Sequence, residues 1–351
     1  MKQLRHAIIR AGFSALSLTG AHHLLRPMLA GVGTIFMLHH VRPRRADAFQ
    51  PNHHLEITPE FLHATLLHLR SEGVDVVSLD EMAARLASGD TTKRFACFTC
   101  DDGYRDNRDH ALPVLRAFNA PVAVYVASDF ADGRGRLWWA ALERVIAKAD
   151  AIEVALSGVV TRLDCATLDA KQIAFDRMHG FLRGLSEDDV RREISALCTA
   201  HGIDEMGISR ELCLGWDELR GFAADPLVTI GAHTMSHCNL ARQSELGAAD
   251  EMRLSRTRIE DALQRPALHL AYPYGDKLAA GGREFALAKT LGFKTAVTTR
   301  PGMIFADNAA QLTALPRVSL NGNYQDTRFL PVLTSGAATA IYNGFRRVDA
   351  A

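Results

Sequence analysis

The sequence predicts an α/β fold, with a mostly parallel sheet or barrel as its frame. Three observations carry this expectation. Short apolar runs alternate with amphipathic helical patterns along much of the chain, which is the signature of strand–helix repetition. Turn residues and prolines punctuate the ends of those runs. The chain of 351 residues, 48% hydrophobic and 23% charged, is long enough to bury the large core such a fold needs.

The elements follow in order. Residues 1–30 read as a helical N-terminal extension. Lys2, Arg5 and His6 precede a mildly apolar stretch from Ala11 to Ala21, the order found in a secretory signal. Arg10, Ser14, Ser17 and Thr19 dilute that stretch, so an amphipathic helix packed on the domain is the preferred reading. A cytoplasmic location is expected, with export left open. Gly33–Leu38 is a buried strand, and residues 41–58, with Pro43 and Pro51, form a loop. Thr58-Pro59 opens a helix as N-cap and first-turn proline, with Phe61, Leu62, Thr65, Leu66 and Leu69 as its apolar face. Further strands are expected at Val74–Val77, Phe95–Thr99, Pro121–Ala127, Leu227–Gly231, Leu268–Tyr272 and Phe293–Thr298, seven in all with the first. The stretch from about 130 to 215 breaks the alternation and reads as a helical insertion, with Leu168–Leu182 and Glu187–Ala200 as helices. The domain proper is expected over 31–325, with a peripheral tail over 326–351.

Composition narrows the function. Forty basic and forty acidic residues cancel, so net charge offers no reason to expect nucleic acid or a membrane surface as partner. No run of apolar residues is long enough to span a bilayer. The cysteines Cys97, Cys100, Cys165, Cys198, Cys213 and Cys238 are scattered, and buried free thiols are expected. Cys97 and Cys100 form a C-x-x-C, but in a strand their side chains face opposite sides.

Chemistry is concentrated in three segments. Thr99-Cys100-Asp101-Asp102-Gly103 places adjacent carboxylates directly after an apolar strand, where α/β folds gather their active sites. Two carboxylates side by side repel, and a bound cation relieves one while leaving the other available as a base. Without a partner the same residues would be an ordinary surface turn. His233 and His237, in Gly231-Ala-His-Thr-Met-Ser-His237, follow another apolar strand. Their spacing puts both imidazoles on one side of a helical turn, so that they can share an ion. The chain has fifteen His, and other close pairs such as His22/His23 and His53/His54 lack that placement. Ala271-Tyr-Pro-Tyr-Gly275 is a proline-stiffened loop whose N–H groups can hold an oxyanion; alone it would read as a simple turn.

Together these segments resemble the NodB-homology polysaccharide deacetylases, carbohydrate esterase family 4. The family's T-F-D-D-G is matched by Thr99–Gly103 with Cys for Phe, its H-[ST]-x-x-H by His233–His237, and its proline-tyrosine-glycine loop by Pro273–Gly275. The resemblance spans about 33–320 and implies a distorted (β/α)7 barrel, here with a helical insertion and N-terminal extension. It implies Asp101 as general base, Asp102, His233 and His237 as metal ligands, and the Tyr274 N–H at the oxyanion. It further implies an acetylated carbohydrate as substrate and a divalent cation as cofactor. Zinc suits two imidazoles and a carboxylate; nickel, cobalt and manganese fit the same donors.

One departure stands out. Many members carry a catalytic-acid His in a late L-x-H motif, where this chain reads Leu315-Pro316-Arg317. Others carry the acid after the first strand, and Leu38-His39-His40-Val41 is similar to that arrangement. His39 is therefore the expected acid, with His40 its competitor. Trp216 and Arg317 are weaker candidates, as a sugar-stacking ring and a carboxylate-orienting fork, and stay outside the catalytic set. The expected reaction is N-deacetylation of an N-acetylglucosamine-containing poly- or oligosaccharide. O-acetyl ester hydrolysis, a non-catalytic sugar-binding barrel and a metal-independent amidase are the competing readings.

Overall fold

The computed structural model describes residues 2–156 and 158–346. Seven parallel strands form a closed ring: β1 (Gly33–Leu38), β2 (Phe95–Cys100), β3 (Val122–Val126), β4 (Val228–Ala232), β5 (His269–Ala271), β6 (Thr295–Pro301) and β7 (Leu315–Ser319). Each pairs with the next in sequence, and β7 returns to β1. The ring is uneven. β4 and β5 share a single register pair, Ala232 with Leu270, and the β6–β7 register slips between Val297 and Pro301. This is the distorted (β/α)7 barrel that the resemblance implies.

The number of strands agrees with the sequence reading, but one member differs. The expected strand at 74–77 is only Asp75–Val76, paired with Phe95–Ala96 on the β2 edge that β3 occupies from Phe98 onward. It therefore stays outside the ring. The seventh place belongs to β7, where Pro316 and Arg317 interrupt the hydrophobic signal of a buried strand.

Period-two alternation sorts the strand residues. Ile35, Phe95, Cys97, Tyr125, Val297 and Leu315 share the inner core. Leu79, Met82 and Leu86 of the helix Leu79–Ser88 join that core. Phe36, Leu38, Phe98, Cys100 and Val124 lie in the outer core with the surrounding helices. Both faces are covered, which explains why the strands read as continuous apolar runs. Cys97 and Cys100 fall on opposite sides, and all six cysteines are buried free thiols.

The helix Pro59–Ser71 forms as its sequence predicts: Thr58 Oγ1 accepts from the Phe61 N–H at 3.2 Å, and all five residues of its apolar face are buried. Residues 130–215 contain the helices Trp138–Lys148, Leu168–Leu182, Glu187–His201 and Glu205–Leu212. The region is less purely helical than expected, because Ala151–Leu156 and Val159–Asp164 form an antiparallel hairpin. It has its own core around Leu142, Ile146, Phe175 and Ile194, which Tyr104, just past the Asp-Asp-Gly segment, joins. At the N-terminus α1 (Lys2–Thr19) and α2 (Ala21–Leu29) pack beside the C-terminal helices Leu330–Thr334 and Ala337–Tyr342.

Candidate active site

The alternation that fills the barrel also aims the site. Extending the inner positions of β1 from Ile35 reaches His39, and extending those of β2 from Cys97 reaches Thr99 and Asp101. On β7 the inner position after Leu315 is Arg317. On β4, Gly231 pairs with inward Tyr125, and His233 is two residues further on. Gly231 is required there, since a Cβ would stand 2.7 Å from the Tyr125 ring. His39, Asp101, His233 and Arg317 thus converge at the C-terminal mouth of the barrel.

Asp102 leaves the strand line because its backbone is left-handed, with φ 69°, followed by left-handed Gly103. Its carboxylate turns toward the two imidazoles: Oδ1 lies 3.5 Å from His233 Nε2 and 3.3 Å from His237 Nε2. One donor atom from each of the three residues falls within 4.8 Å of the others, and all three residues are buried. The two histidines meet differently from the sequence expectation. Residues 233–237 form a loop, not a helical turn, in which Thr234 and His237 are left-handed with φ 61° and 59°. Left-handed non-glycine residues cost about 1 to 3 kcal/mol each and gather at functional sites.

Specific contacts hold that loop. The Thr234 hydroxyl accepts from the His237 N–H at 3.0 Å. Glu251, on the helix Glu245–Leu263, accepts from the Met235 and Ser236 N–H groups at 2.9 Å and from the Ser236 hydroxyl at 2.8 Å. His233 Nδ1 lies 2.7 Å from the Ala271 carbonyl oxygen. A carbonyl only accepts, so Nδ1 carries the proton and the Nε2 lone pair faces Asp102.

The donor set fits a divalent cation. Asp102 Oδ1 is buried and has no hydrogen-bond donor among the described residues, an arrangement that is costly unless something positive faces it. Burial raises the Asp102 pKa, but its interactions with His233 and His237 outweigh this and hold it well below the usual carboxylate range. Burial lowers the pKa of His233, and Asp102 and Asp101 more than restore it. Those shifts describe a carboxylate whose negative charge is stabilised by what surrounds it. A cation meets the same negative charge with the imidazoles neutral, as metal ligation requires.

Asp101 points the other way. Arg317 Nη1 and Nη2 donate to its two oxygens, both at 2.7 Å, and Arg317 Nε donates to the Thr298 carbonyl at 2.8 Å. Burial favours the neutral acid, but the Arg317 charge overrides it and keeps Asp101 ionised. Arg317, left outside the catalytic set on sequence grounds, is thus a buried partner of the proposed base. The signal was a single Arg inside an apolar run.

His39 Nε2 lies 3.9 Å from Asp101 Oδ2, and the ring keeps 18% of its side chain exposed. Burial lowers its pKa. His40, on the opposite parity, is engaged elsewhere: its Nδ1 lies 2.7 Å from Asp106 and its ring stacks on Tyr104 with centroids 3.5 Å apart. Tyr274 is left-handed, with φ 61°, and among the described residues its N–H has no acceptor. Its carbonyl accepts from Thr299 Oγ1 at 2.5 Å, and its hydroxyl accepts from Trp138 Nε1 at 2.8 Å. The rings of Trp139 and Tyr274 flank His237 at 4.9 and 5.1 Å. Trp216 lies apart from this group, donating its Nε1–H to Asp132 at 2.7 Å.

Known proteins share this arrangement of chain. The polysaccharide deacetylase family model matches residues 88–296. No curated protein matches the chain. Among solved structures, the Streptococcus pyogenes deacetylase PplD, determined in complex with acetate, aligns with a TM-score of 0.56 and 16% identity over 86% of this chain and 97% of that one. A polysaccharide deacetylase from Bacillus cereus aligns with a TM-score of 0.54 and 14% identity over 86% of this chain and 68% of that one. At such identities the likeness speaks for the fold, while the family model covers most of the barrel and both motif loops that supply Asp101, Asp102, His233 and His237. The chain belongs to the polysaccharide deacetylase family.

Proposed function

We infer that this deacetylase is a metal-dependent amide hydrolase that removes N-acetyl groups from an N-acetylglucosamine-containing poly- or oligosaccharide. One observation carries the reading. A carboxylate not needed for the donor triad, Asp101, is held ionised next to it by Arg317 and faces an imidazole at 3.9 Å. A barrel that only bound sugar or metal would have no use for that spare base.

The roles follow from position. Asp102, His233 and His237 would hold the cation. When bound it lowers the pKa of a water toward about 7 and polarises the acetyl carbonyl. Asp101 takes a proton from the attacking water as its oxygen bonds to the acetyl carbon. The Tyr274 N–H, free of other acceptors among the described residues, donates to the developing oxyanion. His39, 3.9 Å from Asp101, receives the proton that Asp101 has taken and delivers it to the leaving nitrogen as the carbon–nitrogen bond breaks, which releases acetate and a free amine and leaves both residues as they began. Two nitrogens and one oxygen suit zinc, with nickel, cobalt and manganese compatible.

The deciding experiment measures acetate release from N-acetylated chitooligosaccharides and from acetylated xylan, alongside the metal content of the same protein. Metal-dependent release from the chitooligosaccharide is expected. Release from xylan alone would assign an O-acetyl esterase, and no release from either by metal-loaded protein would overturn the reading.

A further inference from the structure

We propose that the N-terminal helices and the C-terminal helix beside them form a docking face for an anionic lipid bilayer. The first observation is where apolar side chains are exposed. Among the described residues, seven of the fifteen exposed large hydrophobic residues lie within 8–28 and 341–345. Leu18, Leu24 and Met28 are 82, 83 and 74% exposed, and Phe345 is 66% exposed.

The second observation is the pattern on α1. Its inner side is apolar, with Phe13 packed on Tyr324 and Phe329 at 5.2 and 5.4 Å. Its outer side carries Ile8, Ala11, Ala15 and Leu18, a helical stripe that a water-facing helix would fill with polar residues. On α2, Leu24 and Met28 continue the theme one turn apart. The surface is continuous with the chain's other end. Ile8 and Ile341 line one cleft of about 440 Å³, and Met28 and Phe345 line another of about 510 Å³.

Charge selects the occupant. The whole chain is neutral, yet no Asp or Glu precedes Asp47, while Lys2, Arg5, Arg10 and Arg26 lie in the first 30 residues. Arg346 follows Phe345; Arg26 is paired with Glu72, and Asp307 lines the cleft of Met28 and Phe345. Balanced totals therefore conceal an excess of basic over acidic residues in α1 and α2, which also carry the exposed apolar side chains. A second copy of the chain fits it poorly, because a two-fold interface would set this cationic surface against itself. An anionic bilayer takes both features at once: apolar side chains enter the headgroup boundary and basic ones meet lipid phosphates. No helix among the described residues is long and apolar enough to cross a membrane, so the helices would lie on the surface.

Co-sedimentation of the full chain with vesicles tests this. Binding is expected to vesicles containing equal parts phosphatidylglycerol and phosphatidylcholine, and is expected to weaken as salt rises. Leu18→Glu combined with Leu24→Glu should reduce the bound fraction to that on phosphatidylcholine alone. Both positions are exposed, so the fold should tolerate the changes, as circular dichroism can verify. Leu246→Glu, at a leucine 74% exposed on the helix Glu245–Leu263, outside the proposed face, should leave binding intact. Equal binding to both vesicle types, no binding to either, or equal loss with Leu246→Glu would overturn the proposal. So would a dimer in light scattering that the paired variant dissociates without any vesicle binding.

Discussion

Arg317 grips Asp101 with both terminal nitrogens at 2.7 Å inside the barrel, and the side chains are 0 and 2% exposed. The pair joins β7 to the end of β2. It sets the direction of one carboxylate and leaves the adjacent Asp102 to face the imidazoles.

Removing the guanidinium should therefore strand a buried carboxylate. Arg317→Met is expected to cost about 3 to 5 kcal/mol of stability, measured by chemical denaturation. Arg317→Lys keeps the charge but loses the two-pronged geometry. It should fold with a smaller penalty and lose turnover while still retaining metal. Wild-type turnover in Arg317→Lys would show that the orientation of Asp101 is immaterial.

The two carboxylates should separate cleanly by assay. Asp101→Asn is expected to retain metal and lose turnover by roughly 10²- to 10⁴-fold, the usual worth of a general base. Asp102→Asn should lose metal and turnover together. Elemental analysis beside acetate release checks both, and an Asp102→Asn protein with full metal content would dismiss the triad.

His39 and His40 differ in what they touch, and so should their variants. His39→Ala removes a part-exposed ring with one long contact to Asp101, so its cost should fall on turnover with little change in stability. His40→Ala removes a partner of Asp106 and a stack on Tyr104. It should destabilise by about 1 to 3 kcal/mol while sparing much of the activity. The opposite split, seen in paired melting and turnover measurements, would move the acid role to His40.

Glu218 should make stability depend on acid. Hydrogen bonds from Arg105 foremost, then the Gly215 N–H and Arg108, push its pKa down to about 2 from an ordinary 4.5. A carboxyl depressed by folding contributes stability that is complete above the ordinary value and fades as pH falls toward the folded one. The melting temperature of wild type over Glu218→Gln should thus be highest above about pH 5 and the difference should shrink toward pH 2. A difference constant across that range would mean the ion pairs with Arg105 and Arg108 add nothing.

Much of the site was readable from local rules. An apolar run ending in Asp101-Asp102, and another ending near His233 and His237, mark strand ends in an α/β fold, where chemistry gathers. Asp102, His233 and His237 do come together in space. The route by which they meet was not readable. Four-residue spacing suggests a helical turn, whereas left-handed Thr234 and His237 and the distant Glu251 shape a loop instead. His39 and His40 are adjacent in sequence, and only strand parity separates the one beside Asp101 from the one beside Asp106.

Residue order alone specified the alternation of strand and helix, the Thr58 cap, and the motif loops, because periodicity, capping and turn chemistry operate over a few residues. Closure of the ring lay beyond that reach. β7 carries a proline and an arginine that read as breaks in a buried strand until the barrel supplies Asp101, 216 residues earlier, as the arginine's partner. A buried charge becomes acceptable when its counter-charge is beside it, and that neighbour exists only after the chain has folded.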